Sequence, residues 1–210
     1  SLLNVTISTD IKNLLSGKIK NDAQKASFTC LLPDSSALTE VIELTVRGKM
    51  RRKVCDVPPL RLDFKTSSSP RLKSLGRLKL VNACSDNSTR DQWLLKEYLI
   101  YKIYNLISEK SFKVRLLNIT FEDNKENKKP FTQYGFLVED VDDMAKRNKC
   151  REMPEVKIGG ESTNRSQMTT VALFEYMIGN TDWSVPNNHN IKLILPRKDS
   201  SVSPYAVPYD

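Results

Sequence analysis

Strand-like segments succeed one another along most of this chain without crossover helices between them, and that order restricts its fold more than any other feature. Ile42, Leu44 and Val46 alternate with Glu43, Thr45 and Arg47, and Leu60, Leu62 and Phe64 alternate with Arg61 and Asp63. A period of two buries one face of a strand and leaves the other available. Hydrophobic residues make up 39% of the 210, enough for a core. No apolar run reaches the roughly 18 residues a membrane-spanning helix needs. No fixed-period repeat is visible. The order points to an α+β chain rather than a doubly wound parallel sheet.

Leu2 to Ile7 reads as a strand, and Asp10 as the N-cap of a short helix through Leu15. Residues 26–64 read as strands, 65–76 as a loop, and 77–81 as another strand. One long helix is expected from about Asp91 to Ser108, with Leu95, Tyr98, Leu99, Ile103 and Leu106 near helical period. Strands at 113–121 and 133–141 flank a charged hairpin loop from Glu122 to Pro130. A helix is expected near 167–178, closed by Gly179 in the left-handed conformation. A terminal strand pair, 191–195 with 205–209, completes the pattern.

Lys and Arg number 33 against 25 Asp and Glu, a net charge of +8. The cations are spread along the chain without interleaved aromatics, which speaks for a solvated surface or an anion-binding face and against a nucleic-acid partner. Cys30, Cys55, Cys84 and Cys150 form no C-x-x-C pair. Two disulfides in an exported chain and four buried thiols both remain open. His189 is the only histidine, which excludes a multi-histidine metal site. The even cysteine count and the lack of an initiator Met lean the expectation towards export.

The segment GNTDWSVPNNHNIKLIL, followed by SPYAVPYD, carries the most chemistry. Asp182 stands just after a helix. Asn187, Asn188 and Asn190 follow before a strand, and Asp210 ends the next one. Phosphoryl transfer uses such a set: one carboxylate orients the acceptor hydroxyl, and an amide with a second carboxylate holds Mg²⁺ against the phosphates. Asn-Asn-His-Asn also reads simply as a turn.

The chain resembles the CotH kinase-like family across most of its length. VRGKMRRKVCDVPPLRLDF at 46–64 is similar to the family's Arg-Gly element and basic strand. LKLVNACSDNSTRDQWLLKEYLIYKIYNLI is similar to its strand, acidic turn and long helix. SFKVRLLNITFED, YGFLVED and NTDW…NNHNIKL…PYD are similar to its later strands and its catalytic and metal segments. The resemblance implies a protein-kinase-like fold, with an antiparallel-sheet N-lobe and one long helix over 1–140. A smaller, incomplete C-lobe over 141–210 would continue past Asp210 in the family. It implies ATP- and Mg²⁺-dependent phosphoryl transfer to Ser or Thr hydroxyls of a protein substrate. A catalytically inactive module, or transfer of a different group, is the alternative.

Carried over residue by residue, the resemblance makes Asp182 the catalytic base. Asn190 or Asn187, with Asp210, become the metal ligands. Arg47, Arg51, Arg52, Arg61, Glu97 and Glu139 become the nucleotide-binding residues. Pro58, Pro59 and Leu60 stand where the family usually offers Lys. Arg61 is then the remaining cation, a fixed fork in place of a mobile point charge.

Overall fold

The computed structural model describes residues 2–16, 22–32, 34–48, 51–84, 88–125, 128–154, 156–198 and 201–209. Its chain divides into two compact units, 1–98 with 114–138, and 99–113 with 139–210.

The first unit is a closed barrel of seven strands: β1 (Leu3–Thr9), β2 (Gln24–Leu31), β3 (Ala37–Val46), β4 (Leu60–Asp63), β5 (Arg77–Asn82), β6 (Val114–Asp123) and β7 (Phe131–Val138). The order around it is β1-β2-β3-β4-β5-β7-β6, returning to β1. This corrects the expected kinase-like two-lobed fold with an antiparallel-sheet N-lobe. The decisive pairing is parallel: β1 runs alongside β6 from Leu3↔Leu117 to Thr9↔Asp123. Period-two alternation says which face of a strand is buried. It does not say which strand, more than 100 residues away, completes the ring.

The alternation itself is realised. Leu60, Leu62 and Phe64 are fully buried, and Arg61 between them is exposed. The barrel is filled by side chains such as Ile7, Ile42, Leu44, Leu80, Leu117 and Ile119, as a barrel of this size must be. Asp10 caps α1 (Ile11–Ser16), its Oδ1 accepting from the Asn13 N–H at 2.8 Å. Two short helices, α2 (Arg51–Val54) and α3 (Pro70–Lys73), interrupt stretches read as strand and loop. The long helix α4 (Ser88–Ile107) forms near its expected bounds, but it buries Leu94, Tyr101 and Tyr104, while Leu99, Ile103 and Leu106 of the expected apolar set are exposed; Tyr98 packs on Phe136 with ring centroids 5.9 Å apart.

Cys55 and Cys84 form a disulfide that ties the segment after α2 to the end of β5, while Cys30 and Cys150 stay as buried thiols. Burial pushes both of these thiols above the ordinary range.

The second unit has a three-stranded sheet in the order β10 (Tyr205–Pro208), β9 (Ile191–Pro196), β8 (Cys150–Glu152). It also holds α5 (Val141–Arg147) and α6 (Arg165–Met177). Neither α5 nor β8 is foreseen in the sequence reading. Asp140 caps α5 by accepting from the Asp142 N–H, with acids in the first turn and Lys146 and Arg147 in the last, matching the helix dipole. Tyr104, Val171, Phe174, Val185, Ile191, Leu193 and Ala206 form the core of this unit.

Two predictions follow from this packing. Gly135 sits opposite Leu117, and a Cβ there would stand 2.5 Å from Ile119 Cδ1 and 3.0 Å from the Val81 carbonyl oxygen. Gly135→Ala is expected to cost about 1–3 kcal/mol by overpacking, and an unchanged urea midpoint would contradict the packing. The Cys55–Cys84 bridge spans 29 residues. Replacing both cysteines by Ser is expected to cost about 3–4 kcal/mol through loop-closure entropy. Thiol titration of the denatured, unreduced chain should count the two free cysteines and no more.

Candidate functional site

Helix α6 sets the position of Asp182. Asn164 starts the helix by accepting from the Gln167 N–H at 3.1 Å. Phe174 meets Tyr104 at 4.7 Å, and Gln167 Nε2 donates to the Tyr104 hydroxyl at 2.9 Å and to the Ala206 carbonyl at 3.3 Å. Burial pushes the Tyr104 phenol up to about 12. The helix stops at Gly179, whose φ of +70° is the left-handed conformation expected from sequence. Its N–H donates to the Tyr176 carbonyl, and the Asn180 N–H donates to the Glu175 carbonyl. This pair of bonds is the Schellman closure.

Asn180 then does two further things. Its Nδ2 donates to Oε2 of the buried Glu175 at 2.8 Å, and its Oδ1 accepts from the Asp182 N–H at 3.0 Å. A single amide therefore fastens the Asp182 backbone to the last turn of α6. Asp182 presents an 81% exposed side chain, and its Oδ1 lies 3.0 Å from His189 Nε2.

Beyond it the chain makes a tight hairpin. Ser184 and His189 exchange backbone hydrogen bonds at 2.9 and 3.0 Å, and Val185 is buried beneath. Asn188 and Asn190 take φ of +48° and +52°, a region that Asn tolerates better than most residues. Asn188 Nδ2 donates to the Val156 carbonyl at 3.1 Å. Asn190 Nδ2 donates to the Asp182 carbonyl at 2.7 Å. The Asn190 amide is thereby oriented, with Oδ1 left as its acceptor.

The two candidate metal amides thus differ. Asn190 is joined to Asp182. Asn187 is held through its backbone N–H, which donates to Ser184 Oγ at 3.4 Å. The β9–β10 hairpin returns the chain to this point, the Tyr209 N–H donating to the Asn190 carbonyl at 3.0 Å. Asp210 lies outside the described residues. Oxygen donors of this kind are the ones Mg²⁺ prefers, and it takes few from protein. Among the described residues no group of three or more His, Cys, Asp or Glu is assembled for a metal.

Glu139 is committed within the second unit. Arg147 donates to both of its oxygens, from Nε at 3.1 Å and Nη2 at 2.9 Å, and the Lys113 N–H donates to Oε2 at 3.0 Å. In the first unit, Arg51 and Glu97 line one cavity of about 580 Å³ with Asn82, Trp93 and Cys84. Arg51 Nη2 donates to the Asn82 carbonyl at 2.8 Å, and Asn82 Nδ2 donates to the carbonyls of Val57 and Ala83. Asn82 Oδ1 is buried without a partner. Trp93 is largely exposed and carries Lys96 Nζ 4.5 Å from its ring centroid. Arg52 follows Arg51 on α2, Arg47 follows β3 with its N–H on the Pro59 carbonyl, and Arg61 lies on the outer barrel face opposite Thr45 and Lys79.

Sequence reasoning missed Glu175, Asn180 and the pairing of His189 with Asp182. The N-x-D spacing directly after a helix-closing Gly was the available signal, since Asn commonly accepts from the N–H two residues on. Compared with known protein families, curated proteins and solved structures, the chain has no match among them.

Glu175 supplies a pH test of this anchoring. Burial raises its carboxyl above the ordinary value of 4.5, the Asn180 amide opposing in part. The folded chain therefore holds this proton more tightly than the unfolded chain. Stability is highest below the ordinary glutamate range and falls as pH rises through the raised value. Glu175→Gln should flatten that fall, gaining stability at neutral pH and little in acid, as read by urea titration at both. A wild-type profile that rises across this window in step with the variant's would refute it.

Proposed function

We propose that the chain is an ATP- and Mg²⁺-dependent phosphotransferase acting on Ser or Thr hydroxyls of a protein substrate, with Asp182 as its base. The observation that carries the reading is the bond from Asn190 Nδ2 to the Asp182 carbonyl at 2.7 Å. It ties the main chain of Asp182 to an amide whose Oδ1 is left as acceptor, and phosphoryl transfer uses a carboxylate and an amide in such company. The reading rests on this local chemistry, since fold does not dictate reaction.

The exposed Asp182 carboxylate would accept the proton of the attacking hydroxyl and orient its oxygen. Asn180 and the Gly179 closure hold the backbone that presents it, so positioning is largely prepared before substrate arrives. Asn190 Oδ1 would be one protein ligand of Mg²⁺, and Asp210 is carried over as another. Bound metal supplies neutralisation of phosphate charge. A disulfide at Cys55–Cys84 supports an oxidising compartment.

Asp182→Asn keeps the size and removes the base, so labelled phosphate transfer should fall about 10²–10⁴-fold while the unfolding midpoint stays. Equal incorporation by wild type and variant would overturn the assignment. A second reading, nucleotide binding without turnover, is favoured by the full engagement of Glu139 with Arg147 and by Pro58-Pro59-Leu60 in place of Lys. Calorimetric binding of ATP with no labelled product on any protein would select it.

A further inference from the structure

The part of helix α4 that belongs to the second unit is apolar on two sides. Tyr101 and Tyr104 are buried, and Tyr104 meets Phe174 of α6. Leu99, Ile103, Leu106 and Ile107 lie on the opposite side and are 54%, 43%, 89% and 49% exposed. Their spacing of i, i+4, i+7 and i+8 sets them on one stripe. A helix that is apolar all round is ordinarily enclosed, and a contiguous exposed apolar patch marks a protein or membrane contact. This stripe stands in solvent.

Charge says what would cover it. Among the described residues, every exposed charged side chain of α4 is a cation, Lys96 and Lys102. From Leu99 to Lys113 the charged residues are Lys102, Glu109, Lys110 and Lys113, three cations to one acid, and the whole chain carries +8. The complementary surface is apolar within and negative at its boundary. Shape narrows the choice. Leu106 projects almost entirely into solvent, so a protein partner would need a pocket fitted to it, whereas a fluid layer of acyl chains needs none. Lysine suits that boundary, laying its stem along apolar surface and keeping its ammonium among the headgroups. No described helix is long and apolar enough to cross a bilayer, so α4 would lie along its surface.

We propose that this stripe of α4 docks on an anionic lipid surface, with Leu99, Ile103, Leu106 and Ile107 inserted below the headgroups and Lys102 at the level of the phosphates. The stripe lies within the second unit, and its role does not depend on the phosphotransfer reading.

Co-sedimentation of the intact chain with vesicles of equimolar phosphatidylcholine and phosphatidylserine tests it, beside vesicles of phosphatidylcholine alone. Binding to the anionic vesicles is expected, with weaker binding to the neutral ones. Ile103→Gln combined with Leu106→Gln leaves the net charge unchanged and should weaken binding about tenfold or more, as withdrawing two aliphatic side chains from lipid does. Leu106→Gln alone, at the most exposed of the four positions, should weaken it several-fold and repeats the test without touching the fold. Lys102→Glu should weaken it about tenfold or more. The proposal is overturned if the anionic vesicles sediment none of the chain, or if the glutamine variants bind like wild type, which would leave only adsorption by general positive charge. It is overturned too if gel filtration shows a dimer that the glutamine variants dissociate, since a second copy would then cover the stripe.

Discussion

The parallel pairing of β1 with β6 is the interaction on which the first unit depends. Without it, six antiparallel pairings would leave an open sheet with two unpaired edges, and such edges recruit other chains. With it, every strand has two neighbours and the interior closes on Ile7, Leu44, Leu62, Leu117 and Ile119. Closure also brings Thr9 opposite Asp123, which lets Asp123 hold the start of α1. Ile11 and Leu15 of α1 line a cavity there together with Val57, Phe131 and Gln133.

In the second unit order is passed along a short polar chain. The core pair Tyr104 and Phe174 fixes α6, Glu175 on that helix is buried, and Asn180 links its carboxylate to the Asp182 backbone. The exposed side chains of Asp182 and His189 thus stand on a backbone that is not free to wander. An exposed contact of this kind adds little stability by itself. Its interest is chemical: an accessible carboxylate on a fixed support, with an oriented amide beside it.

Much of the local structure was legible. Alternation around Leu60–Phe64 gave the correct buried face, Asp10 capped the helix it was expected to cap, and Gly179 closed α6 with a positive φ. Short elements escaped. The four-residue α2 lies within a basic stretch whose composition suits a strand, and α5 has too few turns for its periodicity to stand out from the preceding strand. Of the site, Asp182 and Asn190 were named and come together, and the structure ties Asn190 rather than Asn187 to Asp182. Asn180 was not named, although the N-x-D spacing made its bond to the Asp182 N–H legible; only its bond to Glu175 requires knowing that Glu175 is buried.

By itself the sequence determined what depends on neighbours along the chain: strand faces, caps, helix ends, and the asparagines that tolerate left-handed backbone. Those follow from sterics and hydrogen bonds within a few residues. The tertiary structure alone decided the barrel, the disulfide pairing, the engagement of Glu139 by Arg147 and the unpaired amide of Gln133. Each of these depends on which distant backbone comes alongside. Chain closure over many residues costs entropy that no local pattern encodes, and it is recovered only when the whole core forms.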